Sequence, residues 1–253
     1  MRAIVITGAA SGIGRASARR LAKSGWRVGL LDRDGEALQG LQQELGEQSL
    51  GLALDVTDAD AFARALERFV AFAGRLDAIV NGAGVLTVGD FESISLERQR
   101  ALVEINSLGV LNGCYLAFPY LKGQPGARVI NLSSASAIYG VPGFAAYSAS
   151  KFFVRGLTEA LQVEWRRHGI HVCDIMPPFV RTPMVEQLPP TPIIERMGVT
   201  LGAEDVARAI EGALSDHRIH HPLTLKFRLL RLLSLLVPGA LQSRLYGALA
   251  EYP

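Results

Sequence analysis

The sequence predicts an α/β fold in which a doubly wound parallel sheet forms the centre of a single domain. Short aliphatic runs alternate with longer amphipathic stretches along most of the chain, as in repeated strand-helix units covered on both faces. A glycine-rich turn, Thr7–Gly14, directly follows the first aliphatic run. The chain has 253 residues, 49% of them hydrophobic and 20% charged, which suits one large core. We therefore treat residues 1–253 as one domain.

The elements can be assigned in order along the chain. Brief apolar runs bounded by Gly, Asp, Asn or Pro predict six strands, at residues 2–7, 26–31, 49–54, 76–80, 127–132 and 170–176. Helical periodicity predicts six helices, at residues 12–24, 35–46, 58–73, 95–122, 145–168 and 203–215. Gly25 and Gly169 stand where a helix ends before a strand, as C-terminal caps do. Glu204 and Asp205 complement the dipole at the start of the last helix.

Composition and charge exclude several classes of function. The formal net charge is only +2 and the basic residues are scattered, so we expect no nucleic-acid partner. Cys114 and Cys173 lack metal-like spacing, which predicts buried thiols in a reducing compartment. The apolar run before Gly8 is too short for a signal peptide or a membrane span, so we expect a cytoplasmic location. We expect no metal site, and we interpret all five histidines as surface or loop residues: His168, His171, His217, His220 and His221.

The glycine-rich turn has the composition of a phosphate-binding segment. It reads Thr7-Gly8-Ala9-Ala10-Ser11-Gly12-Ile13-Gly14 and lies between the first predicted strand and the first predicted helix. Glycines there allow a tight turn, let backbone amides approach a pyrophosphate and direct a helix N-terminus at its negative charge. The sequence therefore predicts a dinucleotide site at this turn.

The pattern Thr-Gly-x-x-x-Gly-x-Gly resembles the opening motif of the short-chain dehydrogenase/reductase family. Further motifs resembling that family follow in the same order: Asp55-Val56, Asn81-Gly82-Ala83-Gly84, Asn106, Ser134, Tyr147-Ser148-Ala149-Ser150-Lys151 and Pro177–Met184. The similarity covers about residues 1–215. It implies a Rossmann-like fold and an NAD(P)-dependent oxidoreductase that interconverts secondary alcohols and ketones.

The resemblance also implies which residues hold the cofactor: Gly8, Ser11, Gly12, Ile13, Gly14, Asp32, Arg33, Asp55, Val56, Asn81, Ala83, Gly84, Tyr147, Lys151, Pro177, Val180 and Thr182. Asp32 closes the second predicted strand, where its carboxylate can accept hydrogen bonds from the ribose hydroxyls and repel a 2′-phosphate. We therefore expect NAD rather than NADP, although Arg33 is a residue type that pairs with that phosphate in NADP-preferring relatives. Pro178 and Gly82 depart from the family pattern, which has Gly and Asn at those positions.

Four residues are the candidates for catalysis. Lys151 follows Tyr147 by four positions, so both side chains project from one helix face. A neighbouring ammonium stabilises a phenolate and is expected to draw the pKa of Tyr147 downward. By resemblance, Ser134 polarises the substrate, with Ser133 a weaker alternative, and Asn106 holds a water of the proton relay. The alternative for Asn106 in the helix 95–122 is simple exposure.

The remaining segments are predicted from composition alone. Residues 185–199 are apolar and proline-rich, which predicts either a substrate lid or a packed loop. Tyr139, Phe144 and Phe179 are interpreted as pocket walls or as general core. The extension 223–253 contains LKFRLLRLLSLL. We expect it to pack on the domain or on a partner subunit, with an amphipathic membrane-surface helix over residues 223–250 as the alternative.

The sequence thus predicts an oxidoreductase acting on a small-molecule alcohol or ketone with an apolar body. The alternatives are a non-catalytic dinucleotide-binding regulatory or scaffold protein and a membrane-peripheral lipid-modifying enzyme. The complete Asn-Ser-Tyr-Lys set argues against a binder, which has no need of the phenol. By resemblance, the chain is expected to form a homodimer or homotetramer through the helices at 95–122 and 145–168.

Overall fold

A parallel sheet organises the part of the chain that the computed structural model describes, which is residues 1–189 and 191–234 together with Leu241 and Gly247. Within it, the strands are β1 (Ala3–Thr7), β2 (Arg27–Asp32), β3 (Ser49–Ala53), β4 (Ala78–Asn81), β5 (Arg128–Leu132), β6 (His171–Met176), β7 (Val180–Arg181), β8 (Leu201–Gly202) and β9 (His220–Pro222). The sheet has the order β3-β2-β1-β4-β5-β6-β9, and β7 pairs with β8 separately. All pairs are parallel, with β1 between β2 and β4. The doubly wound parallel sheet is confirmed, and β1 to β6 match the six predicted strands.

Ten α-helices are described: α1 (Gly12–Lys23), α2 (Gly35–Leu45), α3 (Ala59–Ala73), α4 (Leu96–Val103), α5 (Gly109–Leu121), α6 (Ala145–Trp165), α7 (Pro183–Glu186), α8 (Pro192–Met197), α9 (Ala203–Ala213) and α10 (Leu225–Ser234). The prediction of one helix over 95–122 is wrong in detail, because a π-helical turn, Glu104–Leu108, separates α4 from α5. The run Leu96–Leu121 is apolar and long enough to cross a bilayer by composition alone. Its second half instead packs on β4 and α3, as a core helix does.

Apolar side chains pack on both faces of the sheet. One core joins the sheet to α3, α5 and α6 through residues such as Phe62, Phe69 and Val154. The other core joins it to α1, α2 and α9 through residues such as Leu21 and Ile210. Both faces are therefore covered, which explains why the central strands read as continuous apolar runs rather than as alternating ones.

The ends of several helices follow the predicted chemistry. Gly25 and Gly169 have φ values of 80° and 72°, a left-handed region that glycine adopts without a Cβ clash. Each reverses the chain directly before a strand. At α9, the carboxylate of Asp205 accepts a hydrogen bond from the Gly202 amide at 2.9 Å. This bond satisfies a free donor at the helix N-terminus.

The edge strand β9 corrects the interpretation of two histidines. His220 and His221 lie in β9 beside β6 and are not surface or loop residues. The His220 ring lies between two carboxylates, 2.9 Å from Asp174 Oδ1 and 3.0 Å from Glu159 Oε1. The run His220–Pro222 is short and polar, so its hydrophobicity did not predict a strand. The ring ties β9 to β6 and α6.

Candidate active site

A cavity of about 300 Å³ opens at the carboxyl ends of the strands. It lies where the strand order reverses between β1 and β4, the position at which open parallel sheets bind ligands. Most of the residues predicted from sequence meet in its wall: Gly8, Ser11, Gly12, Ile13, Gly14, Asp32, Arg33, Asp55, Val56, Ala83, Gly84, Ser134, Tyr147, Lys151, Pro177, Val180 and Thr182. Of the predicted site residues, Asn81 and Asn106 lie outside that wall.

The glycine turn is shaped by close backbone contacts. Gly8 has φ 73°, and a Cβ there would lie 2.9 Å from the Ala83 backbone. A Cβ on Gly14 would lie 2.0 Å from the Gly8 carbonyl oxygen, so only glycine lets α1 start this close to β1. Gly12 has φ 49° and faces the Thr182 methyl. A dinucleotide fits this arrangement, because the glycines keep free the space and the amides that a pyrophosphate needs at a helix N-terminus.

Thr7 links the glycine turn to the loop after β4. Its hydroxyl accepts hydrogen bonds from the Gly82 and Ala83 amides at 3.0 and 3.1 Å. Gly82 stands where the family has asparagine. A Cβ added at this position would lie 2.9 Å from the Thr7 carbonyl oxygen. The two loops that form the floor of the cavity are therefore held as one unit.

Three charged residues line the cavity near the end of β2. Asp32 accepts hydrogen bonds from the Ala10 amide at 3.0 Å and from the Asp34 amide at 3.1 Å, which fixes its carboxylate beside the glycine turn. The amide and hydroxyl of Thr57 lower the pKa of Asp55, and the charge of Arg33 adds to that shift. Arg33 thus lines the cavity with both carboxylates, and its charge acts on Asp55.

Tyr147 and Ser134 lie side by side in the cavity. Tyr147 is near the start of α6, and Ser134 follows β5. Burial raises the pKa of Tyr147, and a hydrogen bond with Ser134 opposes that shift. The expected lowering of the pKa of Tyr147 by Lys151 is wrong for the chain alone, because removal from solvent raises that pKa more than the Ser134 hydrogen bond lowers it. The neighbouring Ser133 also lines the cavity, and its hydroxyl donates to the Lys151 carbonyl oxygen at 3.4 Å.

Lys151 reaches the cavity from the next turn of α6. Its Nζ lies 5.6 Å from the centroid of the Tyr147 ring and donates a hydrogen bond to the Leu132 carbonyl at 2.8 Å. Burial lowers the pKa of Lys151 to about 8. The predicted helix face is confirmed, since both side chains line one cavity. The ammonium is held by backbone rather than by the phenol.

Asn106 is buried in the π-helical turn between α4 and α5, so exposure is the wrong alternative. Its side-chain oxygen accepts from the Val85 amide at 2.8 Å, and its side-chain nitrogen donates to the Val85 carbonyl at 2.9 Å. The nitrogen also lies 3.3 Å from the Ser150 hydroxyl. Asn106 therefore fixes the loop after β4 against α6. π-helical turns of this kind recur at functional sites.

Asn81 does not face the cavity as predicted. Its amide nitrogen donates to Asn131 Oδ1 at 2.8 Å within the sheet, and its oxygen lies where a Cβ on Gly113 would be 2.0 Å away. That oxygen is buried without a hydrogen-bond partner among the described residues. The side chain binds β4 to β5 beneath the site. It directs the loop that carries Ala83 and Gly84 into the cavity.

The other end of the cavity is apolar. Its lining includes Leu86, Tyr139, Val141, Phe179, Met184, Val185, Ile193, Met197 and Phe227. Phe144 is not part of this wall, and packs behind Phe179 with ring centroids 5.8 Å apart. Ile193 and Met197 come from α8, within the segment predicted as a lid. Sequence reasoning missed Phe227 of α10, because helical periodicity reveals an apolar face but not the core that it joins.

The comparisons with known proteins match this geometry. A model of the short chain dehydrogenase family matches residues 2–192. The chain is 36% identical over 188 residues to the 3-oxoacyl-[acyl-carrier-protein] reductase FabG of Thermotoga maritima, covering 73% of this chain and 76% of that protein. It is 37% identical over 180 residues to the serine 3-dehydrogenase of Agrobacterium fabrum, covering 71% and 72%.

Solved structures agree in fold. A short-chain dehydrogenase/reductase from Burkholderia phymatum in complex with NAD superposes with a TM-score of 0.83 at 25% identity, covering 92% of each chain. A 3-ketoacyl-(acyl-carrier-protein) reductase from Brucella melitensis complexed with NADH gives 0.80 at 28% identity, covering 87% of this chain and 95% of that one. This protein belongs to the short-chain dehydrogenase/reductase family, and is an NAD(P)-dependent oxidoreductase acting on CH–OH or keto groups.

Proposed function

We propose that the enzyme interconverts an apolar secondary alcohol and its ketone, with Tyr147 as the residue that moves the proton. The observation that carries this proposal is that Ser134, Tyr147 and Lys151 share one cavity with the glycine turn. A bound nicotinamide supplies the hydride for ketone reduction and accepts it in alcohol oxidation.

The proton chemistry falls to the chain's own residues. The hydroxyls of Ser134 and Tyr147 hydrogen-bond the substrate oxygen and hold it in one position. Because burial raises the pKa of Tyr147, the phenol is protonated near neutral pH and can donate from its Oη to the oxygen of a ketone. Lys151 holds positive charge beside the ring until its pKa of about 8 is passed. That charge stabilises the phenolate left after the donation.

The walls of the cavity support an uncharged, apolar substrate. Among the described residues that line it, the charged ones are Asp32, Arg33, Asp55 and Lys151, which belong to the predicted cofactor set. The end beyond Tyr147 offers hydroxyls and apolar side chains but no cation for a carboxylate or phosphate. Burial of an apolar body there contributes roughly 25 cal/mol per Å². A charged substrate would lose its hydration without gaining a partner.

NAD is the proposed cofactor. The carboxylate of Asp32 is held at the cavity by the Ala10 and Asp34 amides. A 2′-phosphate placed near it would meet like charge, whereas a ribose hydroxyl would find an acceptor. Arg33 does not remove this preference, because its charge also acts on Asp55.

The segment 185–199 is proposed as the lid of the substrate end, since Val185, Ile193 and Met197 contribute to the cavity wall. We also propose a cytoplasmic homo-oligomer. Large apolar side chains are exposed on the outer faces of α5 and α6: Leu111, Tyr115, Phe152, Phe153 and Val163. Several large exposed apolar side chains on neighbouring helices in the sequence are a feature of subunit interfaces.

A panel of alcohols and ketones tests the proposed reaction. Straight-chain and cyclic secondary alcohols and their ketones would be followed through the absorbance of reduced nicotinamide, with NAD(H) and NADP(H) in separate runs. We expect turnover to increase with the apolar size of the substrate and to be greater with NAD(H). A preference for carboxylated or phosphorylated substrates, or turnover that requires NADP(H), would contradict the proposal.

A further inference from the structure

The helix α10 presents apolar side chains in two opposite directions. Phe227 is buried and lines the substrate cavity. Leu225, Leu229 and Leu232 are exposed, by 80%, 55% and 62% respectively. At about 100° per residue these three leucines fall within roughly 60° of one another on the helix, and Phe227 lies on the far side. We call these three residues the leucine face.

The sequence of α10 is basic. The segment Leu225–Ser234 contains Lys226, Arg228 and Arg231 and no acidic residue. A shallow groove of about 400 Å³ adjoins the helix. Its arginines are Arg208, Arg218 and Arg228, and its acidic residues are Asp205 and Asp216. Arg218 and Arg208 each pair with one of those carboxylates, while Arg228 donates to the Pro222 carbonyl.

We propose that α10 docks the enzyme on an anionic lipid bilayer, with the leucine face in the interface and Arg228 against the headgroups. A short helix with exposed leucines on one face, three basic residues in its sequence and no acidic residue has the composition of an interfacial helix. Each basic residue close to an anionic surface contributes about 1 kcal/mol of attraction.

The same features disfavour a second copy of the chain as the occupant. A two-fold interface through the leucine face would bring one α10 against the other. Two helices of basic sequence would then be brought together without an acidic residue on either helix. Three leucines also provide much less area than the roughly 800 Å² per partner of a stable interface. A bilayer requires neither self-complementary charge nor a large apolar area.

Docking through α10 would also affect how the substrate reaches the cavity, a consequence that rests on the proposed function. Because Phe227 lines the cavity from the opposite side of the same helix, the substrate end would lie about one helix diameter, roughly 10 Å, from the bilayer surface. An apolar ketone or alcohol dissolved in lipid would then have a short path to the cavity. The docking itself does not depend on this consequence.

Vesicle flotation with the full chain tests the docking independently of enzyme activity. The vesicles are phosphatidylcholine with or without phosphatidylserine, at low and high salt. We expect binding to the phosphatidylserine vesicles at low salt and weaker binding at high salt. The variant Leu229→Ser/Leu232→Ser is expected to lower the partition coefficient about tenfold. The control Phe91→Ser/Leu96→Ser, at residues of matched exposure in α4 and the turn before it, is expected to bind like the wild type.

Circular dichroism of both variants shows whether they remain folded, and Arg228→Gln serves as a second variant that leaves the leucines intact. Arg228→Gln should bind the phosphatidylserine vesicles a few-fold more weakly and show a smaller salt dependence. Three results would overturn the docking. They are no flotation of the wild type at low salt, equal flotation of the leucine variant, and concentration-dependent self-association that only the leucine variant loses.

Discussion

Lys151 is buried and Tyr147 is partly buried, and removal from solvent disfavours the charged form of each side chain. The phenol therefore tends to stay protonated, while the ammonium tends to lose its proton as the pH rises through about 8. A protonated phenol is the donor that ketone reduction needs. The shared cavity, rather than a direct contact between the two groups, makes them a functional pair.

The lysine should leave a signature in the pH dependence of stability. Its pKa falls from 10.5 to about 8 on folding, so between these values the unfolded chain binds more protons than the folded one. Stability contributed by this residue therefore increases as the pH rises from about 8, by at most about 1.4 kcal/mol per pH unit. Urea unfolding of wild type and Lys151→Met across this range should show the difference.

The pH dependence of stability must be taken as the difference between wild type and Lys151→Met, because other titratable groups change the stability in the opposite direction. Burial raises the pKa of both Cys114 and Cys173 to about 12, and their unfolded thiols ionise first. Their contribution makes the folded state less stable as the pH rises above about 9. It is the same in both proteins and cancels in the subtraction. Parallel stability curves for wild type and Lys151→Met would contradict the assignment.

Asp32 makes a separate prediction about cofactor choice. Replacing Asp32 by Ser removes the carboxylate that faces the cavity and leaves Arg33 in place. We expect the ratio of the NADP and NAD dissociation constants to shift at least about tenfold toward NADP. Fluorescence titration with each reduced cofactor measures the ratio. The control is Asp34→Ser, which removes a neighbouring carboxylate while leaving a hydroxyl to cap α2 and should leave the ratio unchanged, whereas an unchanged ratio in Asp32→Ser would refute the NAD preference.

Residue spacing predicted most of the cavity wall but not the orientation of individual side chains. The turn and the Tyr-Lys pair are local in sequence, so the helix and the strand ends fix their positions. Asn81 and Asn106 make contacts with residues far along the chain, Asn131 and Val85. A spacing rule contains no information on such contacts. The direction of the pKa of Tyr147 likewise depends on burial by distant segments.

At the scale of secondary structure, the packing of α10 determines the far end of the substrate cavity. Its Phe227 belongs to the same apolar cluster as Phe144, Ile193 and Phe179. Phe227 reaches the cavity and Phe144 does not. Substituting each of these two phenylalanines therefore distinguishes an effect on the shape of the site from an effect on the stability of the fold.

Phe227→Ala should enlarge the substrate end of the cavity. We expect its specificity constants to shift toward bulkier ketones by about tenfold, since one apolar group in a pocket is worth about 1 to 3 kcal/mol. Phe144→Ala should lower the free energy of unfolding by about 3 kcal/mol without shifting the specificity constants. Steady-state kinetics on a ketone size series measures both. An equal shift in the two variants would show that α10 does not shape the site.

Strong periodicity explains which elements could be predicted. Most residues of β1, β2, β4, β5 and β6 are buried, and α1, α2, α3 and α9 have one apolar face, so each gives a clear pattern. The strand β9 is held by pairing with β6 and by the His220 contacts, and neither is visible as hydrophobicity. The π-helical turn depends on Asn106 reaching Val85, which periodicity does not encode.

For the whole molecule, the outer faces of α5 and α6 predict self-association. Tyr115→Glu places a charge among exposed apolar residues, where burial in a subunit interface would be costly. We expect sedimentation velocity to show an oligomer for the wild type and a shift toward the monomer for Tyr115→Glu. The control Phe72→Glu, on α3, should sediment as the wild type does. A monomeric wild type would contradict the proposed oligomer.

The sheet order could not be predicted from the chain alone, although the fold class could. Alternating strands and helices imply a parallel sheet, but the order depends on which neighbours each strand selects. The observed reversal between β1 and β4 creates the crevice in which the glycine turn, Ser134 and Tyr147 meet. The site is therefore a product of topology as well as of its motifs.

The central claim is that Tyr147 transfers the proton beside a bound nicotinamide. The most direct measurement compares wild type and Tyr147→Phe for NADH binding, by fluorescence titration, and for turnover of the best ketone of the panel. We predict that Tyr147→Phe keeps its affinity for NADH, because its ring still packs in the wall, and loses turnover by about a hundredfold or more. Full turnover by Tyr147→Phe, with NADH bound normally, would contradict the claim.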